Sequence, residues 1–290
     1  MKNTVKYAVA GACALAASST AVLAQEIPAG FTAGIDLASP LPTGIYAFDI
    51  NGLIATDHTS PGLHGNFYAT VPGLIWSSPY EIAGGKLGMT GYFAYGDYEN
   101  DFGNGLGFHA GYAGPWLSQM EFNMKWTYGS LSVSSNAGIL YMFGSGNFVT
   151  AVLNNFKDNT NFEGSTDFAW KAAPGLEALL NVKYGTADFV GSNALGYNQE
   201  WITFEGALLK TFGKMNIGPL LVYSTNLDGP GYDQTFVGGK VGYNFDGFTA
   251  NFRLMQSIEY SGTANATGND TRVFVDFIKP LWTAEEAPLK

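Results

Sequence analysis

The chain has 290 residues, 46% hydrophobic, 15% aromatic and 13% charged, about half the ~25% charged share of a soluble globular protein. A mean hydropathy of +0.03 with 38 Gly, 21 Phe, 16 Tyr and 6 Trp excludes a disordered chain and argues against a helical membrane bundle, which would be far more apolar. The net charge of -10 argues against a nucleic-acid surface.

In chain order, Lys2 and Lys6 precede an apolar stretch from Tyr7 to Leu23, and Val22-Leu23-Ala24 forms a small-x-Ala cleavage site before Gln25. This pattern predicts a signal peptide over residues 1–24 and export across an inner membrane. Cys13, the sole cysteine, leaves with it, so the mature chain has no disulfide or thiol chemistry. Ala10-Gly11-Ala12 lacks the leading Leu that acylation of Cys13 would use. Residues 25–42 form a Pro-containing lead segment that does not alternate. The sequence leaves two places open for it, the periplasm or the interior of the fold that follows.

From residue 43 the chain alternates with period two. In Gln119 to Tyr128 one row is Met120, Phe122, Met124, Trp126 and Tyr128, and the other is Gln119, Glu121, Asn123, Lys125 and Thr127. All ten positions fit a half-buried strand. The pattern predicts twelve strands, over 43–56, 66–83, 86–96, 107–128, 131–143, 166–173, 176–187, 199–212, 215–225, 234–245, 248–260 and 271–282. Tight turns are expected at Gly84-Gly85, Gly129-Ser130, Pro174-Gly175, Gly213-Lys214 and Asp246-Gly247. Between them fall longer polar connections, at about 57–65, 97–106, 144–165, 188–198, 226–233 and 261–269. Short turns alternating with long loops are the asymmetry of an outer-membrane barrel, whose short turns are periplasmic. The fold class is therefore all-β, a transmembrane antiparallel barrel of about 12 strands over 43–282, followed by a tail at 283–290. Closure also satisfies strand edges that lipid cannot.

Aromatics near strand ends, Trp76, Tyr80, Tyr95, Trp126, Tyr128, Trp201, Tyr243, Phe245 and Trp282, suit interfacial girdles. Lys210 and Lys279 stand in apolar rows near the short-turn ends, within reach of headgroups. Pro79, Pro115 and Pro219 lie inside strands, where each predicts a bulge or a local opening of the ladder.

The inward rows hold Glu121, Lys125, Lys183, Glu205, Lys240, Arg253, Glu259, Arg272 and Asp276. These are the candidate lumen-lining residues. A two-residue turn at Asp246-Gly247 sets Lys240 opposite Arg253, and two adjacent cations need an anion such as Asp276 or Glu205. Such a cluster serves either a permeation path or a structural network. Catalytic signals are poor. His58, His64 and His109 lack metal-ligand spacing, no nucleophile elbow occurs, and a hydrolase built on Ser60 or Ser118 has only an isolated His to draw on. Gly103-Asn104-Gly105-Leu106-Gly107 opens no helix, so it is no phosphate cradle. Asp97, Glu99 and Asp101 read as a solvated loop or a divalent-cation site. No cofactor, metal site or enzymatic reaction is expected.

Val71-Pro72-Gly73-Leu74-Ile75-Trp76 with Pro79 and Gly84-Gly85, Gly105-Leu106-Gly107 with Pro115, Phe212-Gly213, and Ile278-Lys279-Pro280-Leu281-Trp282 together resemble the outer-membrane proteins grouped with the meta-pathway phenol-degradation transporter. The resemblance covers about residues 43–282. Phe108 stands where such proteins often carry Asp, and the chain runs on past Trp282. The resemblance implies a barrel related in role to long-chain fatty acid channels, admitting hydrophobic or aromatic compounds. Expected partners are outer-membrane lipid and such solutes, with no nucleic acid. The oligomeric state is not legible in the sequence. Two rivals remain: a non-transporting structural or adhesion barrel, and a secreted soluble β-sandwich that binds a ligand.

Overall fold

The structure is a computed structural model, and it describes residues 29–58, 63–102, 109–142, 159–190, 200–227, 233–261 and 268–284. The expected signal peptide, Ser60 and Gly103 to Gly107 lie outside the described residues. So do the side chains of His58, His64, His109, Glu99 and Asp101.

Twelve strands account for nearly all of the described chain: β1 (Gly44–His58), β2 (Leu63–Ile82), β3 (Gly85–Phe102), β4 (His109–Tyr128), β5 (Leu131–Met142), β6 (Asn159–Ala173), β7 (Leu176–Val190), β8 (Glu200–Phe212), β9 (Met215–Asn226), β10 (Asp233–Phe245), β11 (Phe248–Ser261) and β12 (Gly268–Thr283). Each pairs antiparallel with its neighbour in sequence. Pairing of β1 with β12, from Gly44↔Thr283 to His58↔Gly268, closes the barrel.

Alternation sorts the side chains as the two wall environments require. On β11 Asn251, Arg253, Met255 and Ser257 are buried, whereas Phe252, Leu254 and Ile258 are exposed. Leu74, Phe122, Ile139 and Leu221 extend the same apolar outer surface around the wall. An exposed apolar belt on a sheet without edges is stable where the surrounding solvent is lipid.

Several elements differ from the sequence reading. The first tight turn is Ala83-Gly84, with Ile82 paired to Gly85, not Gly84-Gly85. Both turn residues have positive φ, 51° and 72°, as a type I′ hairpin requires. Gly85 is paired within the strand, and the Trp126 ring lies where its Cβ would be, 2.5 Å from the indole nitrogen. Strand β6 begins at Asn159, seven residues before the expected start at 166, and β3, β7 and β12 also extend into segments read as loops. Polar residues beyond the lipid belt can stay paired in water, so composition does not mark where a barrel strand stops.

Trp201 is no girdle residue: it is 1% exposed. Its ring lies against Gly185 on the neighbouring strand, where a Cβ would stand 2.4 Å from it. Its parity with Thr203 and Glu205, both buried, already puts it inside. By contrast, Trp76, Tyr80, Tyr95, Tyr128, Tyr243, Phe245 and Trp282 are exposed. Lys210 donates to the Pro174 carbonyl at the short-turn end, 3.0 Å away.

Each interior proline coincides with an irregularity. Around Pro79 the β2–β3 register slips between Ser77 and Glu81, and beside Pro115 the β3–β4 register slips between Ala94 and Tyr95. At Gly218-Pro219 the β8–β9 ladder passes from Ala207↔Leu220 to Lys210↔Ile217 without pairing the residues between. Pro72, which received no such expectation, also interrupts the ladder: β2–β3 pairing runs from Thr70↔Tyr95 to Gly73↔Tyr92.

Candidate functional site

The lumen is occupied by the chain's own lead segment. Thr43 meets the last strand at the short-turn end, where its carbonyl accepts from the Ala284 amide at 2.9 Å. From there, traced backwards, the segment climbs through the barrel. Ala38, Ala33, Phe31 and Ala29 are all buried. Small residues suit so narrow a passage. Gly30 and Gly34 have φ of 87° and 75° and allow the tight winding marked by the bonds Ala33 N to Gly30 O and Ile35 N to Thr32 O. A Cβ on Gly34 would stand 2.8 Å from Leu220.

A segment without a sheet partner must find other donors for its carbonyls. Inward cations supply them at successive heights. Lys86 Nζ and Ser77 Oγ donate to the Leu41 carbonyl, each at 2.8 Å. Lys240 Nζ donates to Gly34 O at 2.6 Å. One guanidinium nitrogen of Arg253 reaches the carbonyls of Phe31 at 2.7 Å, Gly30 at 3.1 Å and Ala33 at 3.3 Å. Arg272 donates to Ala29 O. An anion grips the segment as well: Glu205 accepts from the Gly30 amide at 2.7 Å and from the Thr32 hydroxyl.

The barrel holds these hooks in turn. Arg253 pairs with Asp276 at 3.0 Å, and Asn251 also donates to that carboxylate. The guanidinium lies 4.9 Å from the centre of the Phe274 ring. Arg272 lies 4.0 Å from the Phe236 ring, 3.1 Å from the Gln234 amide oxygen and 3.4 Å from Asp270. Lys240 is opposite Arg253 in the register. Both point to the lead segment, whose carbonyls separate the two cations.

Of the nine lumen candidates, Lys183, Glu205, Lys240, Arg253, Arg272 and Asp276 are buried, and Glu121 and Lys125 are partly buried. Glu259 does not join them. The β10–β11 register slips between Thr235 and Phe236, which leaves Glu259 beside Thr235, out of the row of the buried Ser257, and exposed. Sequence reasoning missed Glu163, Asp167 and Asp270, all buried. Glu163 stands in a segment read as loop and Asp270 just before the strand expected from 271, but parity with the outward Phe162 gave a signal for both Glu163 and Asp167.

Behind the segment a cavity of about 140 Å³ remains. On one side Phe31 and Ile35 of the lead segment face Phe48, Ile50, Val71 and Ile75 of β1 and β2; on the other stand Glu121, Lys125, Glu163 and Lys183 of β4, β6 and β7. Among the described residues no group of His, Asp and Glu is arranged to hold a metal ion.

No protein-family model matches the chain, and no curated protein matches it. Among solved structures it is similar to an outer membrane channel from Pseudomonas putida F1, at 11% identity and a TM-score of 0.62, over 84% of this chain and 98% of that one. A second is the β domain of the Bordetella autotransporter BrkA, at 9% identity and a TM-score of 0.50, over 83% and 100% of the two chains. These likenesses concern the fold. A closed twelve-stranded barrel with an apolar outer wall is a bacterial outer-membrane protein.

Proposed function

We propose that this barrel is a channel passing small hydrophobic or aromatic compounds across the outer membrane. The observation that carries the reading is the cavity between the lead segment and β1–β2. An apolar cavity of about 150 Å³ in an engineered protein is enough to take up benzene, so about 140 Å³ suits a single ring. The cavity abuts Val71, where the β2–β3 ladder is interrupted beside Pro72. The resemblance to phenol-pathway transporters points the same way.

The test is initial uptake of a labelled single-ring compound by intact cells. Cells expressing the chain should take it up several-fold faster than cells without it, and Val71→Trp, which fills the cavity, should return uptake toward background. The filled lumen favours a second reading, a structural barrel that passes nothing. Equal uptake in all three strains would select it.

A further inference from the structure

The polar side of the cavity carries more chemistry than an apolar solute needs. Glu163 is 3% exposed and lines the cavity, yet its Oε2 receives no donor from the protein. Asn251, on the same lining, likewise has an unpartnered Oδ1. Of the lining side chains these are the two with buried unpartnered polar atoms, and both atoms are acceptors. The other groups nearby are engaged. Glu121 accepts from Gln119 at 2.6 Å, Asp276 holds Arg253, and Lys183 lies 3.8 Å from Glu205. Lys125 also lines the cavity, four residues closer to the short-turn end of β4 than Glu121, where it borders the pocket at Pro40 and Leu41.

A buried acceptor without a donor is costly, and Glu163 shares the cation Lys183 with Glu121 and Glu205, so its charge is only partly countered. A ligand completing this wall must bring hydrogen-bond donors and positive charge to Glu163, while its body meets Phe31, Ile35, Phe48 and Val71. Resting on the channel reading, which it deepens, we infer that the cavity is a binding site for small amphipathic amines, with a protonated amino head at Glu163 and an apolar or aromatic body against the lead segment and β1–β2. An ammonium offers three donors and a point charge; a neutral hydroxyl offers one donor and no charge, and a carboxylate offers neither.

Binding of three isosteric probes to the full mature chain in detergent micelles near neutral pH tests this. Benzylammonium should bind at least about tenfold more tightly than benzyl alcohol, with benzoate weakest. In Glu163→Gln the preference for benzylammonium over benzyl alcohol should fall below about twofold, and Glu163→Asp, which keeps the charge, should recover part of it. Heat-modifiable gel migration identifies folded samples, and the probe ranking on the unaltered chain decides the matter even if a variant does not assemble. Benzoate binding as tightly as benzylammonium, or a preference unchanged in folded Glu163→Gln, overturns the inference. Uptake separates it from the channel reading: amine binding without uptake supports the site and defeats the channel, whereas uptake of neutral rings without amine preference does the reverse.

Discussion

The two sides of the lumen treat the same segment in opposite ways. Along β10, β11 and β12, Lys240, Arg253 and Arg272 each donate to lead-segment carbonyls. Opposite them, Phe31 and Ile35 meet apolar side chains of β1 and β2 across a cavity, and these strands hold the segment by hydrogen bonds lower down, from Ser77 to Leu41 and from Tyr46 to Pro42. At the level of the cavity one side therefore fixes position through directional, desolvated bonds, and the other gives contact that is adaptable in shape. A segment anchored on one flank leaves the opposite flank as the place where a solute fits.

Substitutions on the gripping side should cost most. Arg253→Ala removes three carbonyl bonds and the ion-pair partner of the buried Asp276, so a loss of about 3–5 kcal/mol is expected from denaturant unfolding in micelles. The neighbouring Phe252 faces lipid, 47% exposed. Placing a charge there with Phe252→Arg should cost ~2–4 kcal/mol if it lies near the bilayer midplane. It should leave the lead segment in place, as judged by protection of residues 29–42 from protease. Equal loss of that protection in both variants would erase the distinction between inner and outer rows.

On the cavity side the penalty should be smaller. Ile50 is buried beside existing free space, so Ile50→Ala is expected at the low end of large-to-small core losses, about 2 kcal/mol. A cost matching that of Arg253→Ala would mean that the cavity flank is as tightly held as the cationic one. At the short-turn end, Lys214 pairs with Asp246 where both side chains are exposed, and Lys214→Ala should change stability by less than about 1 kcal/mol.

The contrast between the two flanks was only half visible in the amino-acid sequence. Parity along a strand is a local property, so the twelve strands, most inward residues and the Lys240–Arg253 juxtaposition could be read from alternation and one tight turn. Parity fails at bulges, where one added residue exchanges the faces, and Glu259 lies just beyond such a slip. It also says nothing about polar strand ends, and for that reason Glu163 reads as a loop residue and Asp270 falls just outside the expected strand. The lead segment was beyond its reach altogether. Residues 29–42 have no period, and their position depends on carbonyl groups that every sequence possesses. A signal was nonetheless present: Gly30, Ala33 and Gly34 are small enough for a narrow lumen, and the inward rows of β10–β12 carry the three cations Lys240, Arg253 and Arg272.

Photo-crosslinking from position 31 tests the central claim most directly. Phe31 packs edge-on against Phe274 of β12, with ring centroids 5.7 Å apart. With a benzoylphenylalanine in place of Phe31, irradiation of cells followed by peptide mapping should join the lead segment to the β12 peptide around Phe274, within a single chain that still migrates as a folded barrel. Crosslinks to lipid or to other proteins, with none to the barrel's own strands, would contradict a lumen filled by residues 29–42.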